Sequence, residues 1–245
     1  MAELHIGIDM HGTLIDDRSE RVPERLVAPL AEAMEKAKFF GAKLYLCTGN
    51  DLSFVRRKLP QDIIDLFDGH VLEMGCVVSD GEKEEVLPSS DILGKLKNLE
   101  TALKSSKIPE IYKFAERRAI ISMFTFYGTP PEALLPKVNA VIQQLGMGGE
   151  VKAACSSVAV DVFPDGFSKM AGMRHVARGG KVMGIADSMN DAELVAGADA
   201  AVVPSNSKKE LLRHVAGMKH VRVSSLPSTE AVIESLELVG KPGAA

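Results

Sequence analysis

Apolar residues along this chain fall into two periodicities. Short runs of four to six, "LHIGID" (4–9) and "KLYLCT" (43–48), read as buried strands. Between them, residues 23–40 repeat their apolar positions at helical spacing and stop at Gly41, and residues 51–59 read as a short helix. "HVLEMGCVV" continues as strand. This βαβ alternation predicts a parallel sheet with crossover helices. It breaks after "SDGEKEEVLP". A helical pattern over 90–106, a β-rich run "RRAIISMFTF", a helix over 130–145 opened by Pro130-Pro131, and the runs "EVKAA" and "VAVDVF" predict a separate α+β unit with an antiparallel sheet. From about 168 the alternation returns, with helices over 169–177, 191–196, 206–216 and 228–238 and strands "KVMGIA", "DAAVVP" and "KHVRVS". The economical reading is an α/β fold: a doubly wound parallel-sheet core, residues 1–81 and 163–245, interrupted by an inserted α+β domain, residues 82–162. The tail "GKPGAA" reads as disordered.

Composition narrows the partners. The 245 residues are 46% hydrophobic and 25% charged, ordinary values for a globular chain. A formal net charge of -4 provides no basic footprint, so nucleic acid and anionic membranes are disfavoured. No apolar stretch reaches the roughly 18–20 residues of a membrane span. The three cysteines, Cys47, Cys76 and Cys155, have neither metal-type spacing nor a disulfide framework. Glu3 and Asp9 lie in the first apolar run, which argues against a secretory leader. A cytoplasmic location is the expectation.

Ligands of open parallel sheets gather outside the carboxyl ends of the strands. Four positions stand there: Asp9, ending the first strand; Thr48-Gly49-Asn50, ending the second; Lys169, opening the helix after the insertion; and Asp187 in "GIADSMNDAEL", with Asn190 and Asp191 behind it. Three converging carboxylates repel one another unless a hard divalent cation joins them, and oxygen ligands suit Mg²⁺. A hydroxyl, backbone amides and an ammonium beside them provide a phosphate site. Together these describe phosphoryl transfer, with Asp9 available as nucleophile. Bland alternatives remain: Asp9 as a turn residue, Lys169 as a solvated helix residue, Thr48 bonding only its own turn, and Asp187 and Asp191 as helix caps.

The motifs "DMHGT", "TGN", Lys169 and "ADSMND", in that order, resemble the signature of the haloacid dehalogenase superfamily of phosphatases. The insertion between the second and third motifs is similar to a type IIB cap, and "TGN" with a short cap resembles archaeal phosphoglycolate phosphatases. The resemblance implies a Rossmann-like core and a Mg²⁺-dependent phosphatase acting on a small phosphorylated metabolite, phosphoglycolate being the best single choice. It implies Asp9 as the residue that becomes an aspartyl phosphate, and Thr48, Gly49, Asn50, Lys169 and Asn190 as phosphate or substrate binders. Asp9, the backbone carbonyl of His11, Asp187 and Asp191 are the implied metal ligands. A homodimer is compatible with it. Ala186 replaces a glycine of the signature, and His11 stands where the family carries the aspartate that protonates the leaving group and activates water. His11 is read as a substitute proton carrier, with an ordinary pKa near 6.5, or as a residue that only fills the turn. A phosphomutase or phosphotransferase, and a catalytically weak phosphate-binding relative, are the rival functions. Arg117-Arg118 is read as opening a strand of the inserted unit, with one side chain able to reach a substrate carboxylate.

Overall fold

The computed structural model describes residues 3–16, 21–81, 83–156 and 158–240. Its elements are, in chain order, β1 (Leu4–Asp9), α1 (Glu24–Phe39), β2 (Ala42–Cys47), α2 (Leu52–Lys58), α3 (Gln61–Ile64), β3 (Gly69–Leu72), β4 (Val77–Ser79), β5 (Glu84–Val86), α4 (Ser90–Ser105), β6 (Ile111–Ala115) and β7 (Ile121–Thr125). They continue with α5 (Pro131–Gln144), β8 (Val151–Cys155), β9 (Ala159–Pro164), α6 (Lys169–Ala177), β10 (Lys181–Ile185), α7 (Ala192–Gly197), β11 (Ala200–Val203), α8 (Lys209–His214), β12 (Val221–Val223) and α9 (Ser228–Glu237).

The chain divides into two compact units. The first comprises residues up to Glu84 together with those from Ser168 onward. Its sheet has the order β12-β11-β10-β1-β2-β3-β4-β5, and neighbours from β12 through β3 are parallel. β1 lies at its centre with every residue after Leu4 buried, which is why its sequence is nearly continuous in apolar residues rather than alternating. Helices cover both faces. α1 packs on β2 and α9, burying Leu30, Ala33, Met34 and Ala37 at helical spacing; α6 and α7 pack on β10 and on each other. This is the doubly wound α/β fold. The chain steps outward from β1 to β2 and β3 on one side, and through β10, β11 and β12 on the other, so the strand order reverses between β1 and β10. That switch point opens a crevice at the carboxyl ends of the two strands.

The second unit runs from Glu85 to Phe167. Its four strands, in the order β6-β7-β9-β8, are all antiparallel. α4 and α5 supply Leu96, Leu99, Leu103, Leu134, Val138 and Ile142 to a core completed by alternate strand residues Ile121, Met123, Val160 and Val162. On the opposite sheet face the Ser122 hydroxyl donates to the Asp161 carboxylate.

Several elements differ from the sequence reading. The expected boundaries at 82 and 162 become 84/85 and 167/168, because β9 runs to Pro164 and its partner β8 holds it in the second unit. "HVLEMGCVV" is two antiparallel strands, β3 and β4, separated by a 3-10 turn at Glu73–Gly75. All three residues of that turn have positive φ, which folds the chain back on itself. β6, "IYKFA", was not anticipated, since mixed polar and apolar positions hide its period. Arg117 and Arg118 lie in the link between β6 and β7 rather than in a strand. The helix expected over 206–216 shortens to α8, because Ser205 and Asn206 are drawn into contacts with Leu226 and the β1 turn. Of the tail, residues 241–245 lie outside the described residues.

Candidate active site

β1, β2 and β10 are aligned so that Ile8 sits level with Ile185, and Asp9 with Cys47. The carboxylate ending β1 is therefore beside the start of the Thr48-Gly49-Asn50 loop and close to Asp187, two residues past Ile185. Asp187 lies just before a 3-10 turn, Met189–Asp191, that leads into α7, and Asp191 is the last residue of that turn. One carboxylate oxygen from each of Asp9, Asp187 and Asp191 falls within 4.8 Å of the others. Relative exposures are 5%, 2% and 0%, so little water screens this charge.

Lys169, the first residue of α6, is 2% exposed and reaches into the cluster. Its Nζ donates to Oδ1 of Asp9 at 2.5 Å and also to Oδ1 of Asp191. Burial alone would drive this ammonium toward its neutral form; Asp191 and Asp9, through charge and hydrogen bonding, more than offset that and hold its pKa above the ordinary value. The pKa of Asp9 is raised too, which for a carboxylate favours the neutral form. Burial first, then the charge of Asp191, push its pKa well up, while Lys169 opposes them. With all three acids ionised, three carboxylates face one ammonium, leaving two buried negative charges for a cation to offset.

Glycines permit the close approaches. Gly12 turns at φ +77, and a Cβ there would lie under 3.0 Å from all three carboxyl atoms of Asp187. The Thr13 hydroxyl donates to Oδ1 of Asp187 at 3.1 Å, tying the β1 turn to the β10 end. Gly75, at φ +85, leaves no room for a Cβ against the carbonyl of Ser168, and Gly172 packs directly on Gly75 and Val71. Those two contacts seat the start of α6, which the Ser168 side chain caps by accepting from the amide of Ala171. Lys169 is thus delivered by packing rather than by a local motif.

The loop after β2 is held by the same left-handed turn: the amide of Glu73 donates to the carbonyl of Asn50, and that of Met74 to the carbonyl of Thr48. The buried Thr48 hydroxyl accepts from the backbone amide and the side-chain Nδ2 of Asn50, both at 3.2 Å. Accepting twice, it retains its own hydrogen for donation. The Ser188 hydroxyl bonds both Asn190 and Oδ2 of Asp191, linking Asn190 to the carboxylates. His11 is half-buried in the β1 turn, its ring 5.6 Å from that of Phe54 on α2.

The bland alternatives separate here. Lys169 is buried, not solvated. Asp191 stands at the N-cap of α7 but makes no side-chain cap bond. Thr48 does bond its own turn. Sequence reading placed the carboxylates and the lysine, but assigned no role to Thr13, Phe54, Gly75 or Gly172. Thr13 lay within the quoted "DMHGT" and was discoverable; the Phe54 and glycine contacts join segments far apart in the chain and leave no local signal.

No protein-family model matches the chain, and no curated protein matches it in sequence. Solved structures match its fold over nearly its full length. The sucrose-phosphatase of Synechocystis, solved with sucrose and phosphate, superposes with a TM-score of 0.73 at 17% identity, covering 96% of both chains. A sugar phosphatase of haloacid dehalogenase subclass IIB gives 0.64 at 17% identity, covering 97% of this chain and 99% of that one. A haloacid dehalogenase-like hydrolase from Bacteroides thetaiotaomicron gives 0.66 at 14%, with coverages of 97% and 99%. The chain therefore has the Rossmann-like fold of the haloacid dehalogenase proteins, the fold the sequence motifs led us to expect.

Proposed function

We propose that this protein is a phosphoric monoester hydrolase that cleaves a small phosphorylated metabolite through an aspartyl phosphate on Asp9. One observation carries the reading: three buried carboxylates and a buried lysine meet at the topological switch point of a fold shared with phosphatases. The donor set also fits Mg²⁺, since it is all carboxylate oxygen, buried, and in excess of the lysine's charge. Asp9, Asp187, Asp191 and the backbone carbonyl of His11 would hold the ion. When bound, it supplies Lewis-acid offset of charge on the phosphoryl oxygens.

The chain's own residues divide the remaining work. A carboxylate oxygen of Asp9 attacks phosphorus, and the bond from phosphorus to the ester oxygen breaks. The departing oxygen takes a proton from the His11 imidazolium. Water then attacks the acyl phosphate, His11 takes a proton from it, and Asp9 is restored as inorganic phosphate leaves. Lys169, bonded to Asp9 and Asp191, offsets charge on the transferring group. The Thr48 hydroxyl, the Gly49 backbone, and the amides of Asn50 and Asn190 bind the phosphoryl oxygens.

Phosphoglycolate rests on the motif resemblance, whereas the names of the structural neighbours favour sugar phosphates. Both belong in the test. Purified protein is screened for phosphate release from phosphoglycolate and a panel of sugar phosphates, with Mg²⁺ and with excess chelator. Mg²⁺-dependent release is expected, and Asp9→Asn is expected to abolish it while the melting midpoint stays within a few degrees. Hydrolysis by Asp9→Asn near the parent rate, or full activity in chelator, refutes the reading. Phosphate transfer only when a sugar acceptor is present would instead identify a phosphotransferase.

A further inference from the structure

The segment 204–208, which follows β11, touches the β1 turn and the end of β10 by hydrogen bonds that the chemistry above does not use. Nδ2 of Asn206 donates to the carbonyl oxygen of Gly12 at 2.7 Å, while Oδ1 of the same amide accepts from the backbone N–H of Ser228 at 2.7 Å. The Ser228 hydroxyl donates to that same Gly12 oxygen at 3.1 Å, and the Thr229 hydroxyl to the carbonyl of Leu14 at 2.8 Å. Two residues beyond Asn206, the amide of Lys208 donates to the carbonyl of Asp187 at 2.9 Å.

Two further features mark this as a constrained junction. Ser228 has φ +37, in the region that non-glycine residues enter only when their surroundings hold them there. Gly12, whose carbonyl takes both donors, also has positive φ and has no side chain to anchor it. Its amide donates to the carbonyl of Ile15 within the turn, and its carbonyl oxygen is the point that the Asn206 and Ser228 side chains clamp from outside. The next residue, Thr13, holds Oδ1 of Asp187.

We infer that Asn206, backed by Ser228, is a positioning residue: it clamps the Gly12 peptide so that Thr13 and the Asp187 carboxylate keep their setting relative to Asp9. This rests on the proposed role of the three carboxylates. The amide is suited to the task because its two ends have opposite polarity and each meets its complement. A carboxylate of the same shape still accepts from Ser228 but presents an acceptor to the Gly12 oxygen. Asn206→Asp therefore breaks one bond of the clamp with almost no change in volume.

The test uses the full chain carrying Asn206→Asp or Ser228→Ala, the second removing a single donor. Hydrogen exchange in metal-free protein reports the clamp itself, at the amides of Gly12, Leu14 and Ile15, which bond within the turn. Asn206→Asp is expected to speed exchange there about tenfold, the worth of roughly one net hydrogen bond, with Ser228→Ala giving a smaller rise in the same direction. Calorimetric titration with Mg²⁺ is expected to show affinity about tenfold weaker for Asn206→Asp, and kcat about tenfold lower with KM within twofold. Unchanged exchange in both variants overturns the clamp. Faster exchange with parental Mg²⁺ affinity and kcat overturns the positioning role and leaves a fold contact only. If the parent itself neither binds Mg²⁺ nor releases phosphate, the proposed function has failed, and the exchange rates still decide the clamp. Should Asn206→Asp not fold, Ser228→Ala decides alone by the same readouts.

Discussion

Replacing Lys169 with methionine isolates the electrostatic core of the site. Methionine fills similar volume and leaves the packing of α6 on Gly75 and Val71 in place, so the change is chiefly the loss of one buried ammonium. Asp9 and Asp191 would each lose a direct charge-assisted bond, and three carboxylates no more than 5% exposed would then face one another with no cation. Removing one partner from a buried ion pair costs about 3–5 kcal/mol. For a unit of this size each kcal/mol moves the melting midpoint by about 2–4 °C, so a fall of roughly 6–20 °C is expected in metal-free buffer. Mg²⁺ should return much of that loss, because it offsets the same charge, and its stabilising effect on Lys169→Met should exceed its effect on the parent. Phosphate release should fall by at least about a hundredfold even when Mg²⁺ has restored the fold, since a preorganised charge on the transferring group is typically worth that much. The assay is a thermal melt with and without Mg²⁺, paired with phosphate release below the lower midpoint. A metal-free midpoint within 2 °C of the parent would refute the reasoning.

Gly12→Ala should reduce Mg²⁺ affinity and turnover at least tenfold, because a Cβ at φ +77 meets the Asp187 carboxyl group; parental metal affinity by calorimetry would contradict this. His11→Ala should slow turnover by at least about tenfold and His11→Asp should recover it, read from phosphate release across pH; an unchanged rate and pH profile would show that the imidazole only fills the turn. His70 on β3 is buried, and burial, with a smaller effect of Arg56, lowers its pKa from 6.5 to about 4. The unfolded chain therefore binds this proton first, so stability present above pH 6.5 is lost as pH falls toward 4, by up to about 3 kcal/mol. Denaturant melts of His70→Leu should lack that part of the slope, and slopes identical to the parent's would refute it.

The fold class was legible because this chain segregates its periods. β1 and β2 are short apolar runs ended by polar residues, α1 and α4 carry helical spacing, and the change of rhythm after "SDGEKEEVLP" marks the insertion. The candidate site was legible for a related reason. Asp9, Thr48, Lys169 and Asp187 each sit where an element begins or ends, and strand ends in an open parallel sheet are where ligands gather. β6 escaped because its residues alternate imperfectly, with Tyr112 and Lys113 both exposed and the register shifted by a bulge between Ile111 and Lys113. The break at Glu73–Gly75 escaped because β3 and β4 are both apolar, and positive φ at Glu73 and Met74 has no compositional mark.

Local pattern carried most of the inventory: the central strands, the long helices, and the acids, lysine and hydroxyl that stand at their ends. The tertiary structure decided which of them share charge. Asp9 and Lys169 are 160 residues apart, and Asp191 lies a further 22 beyond the lysine, yet one ammonium bonds both carboxylates. No local pattern encodes that distance, because it follows from β10 pairing with β1 and from a helix seated against Gly75. The same holds for Asn206 and Gly12, joined across 194 residues by an amide on a loop. Periodicity reports an element's own burial, whereas the convergence of side chains depends on sheet order and register, which arise only when the elements pack.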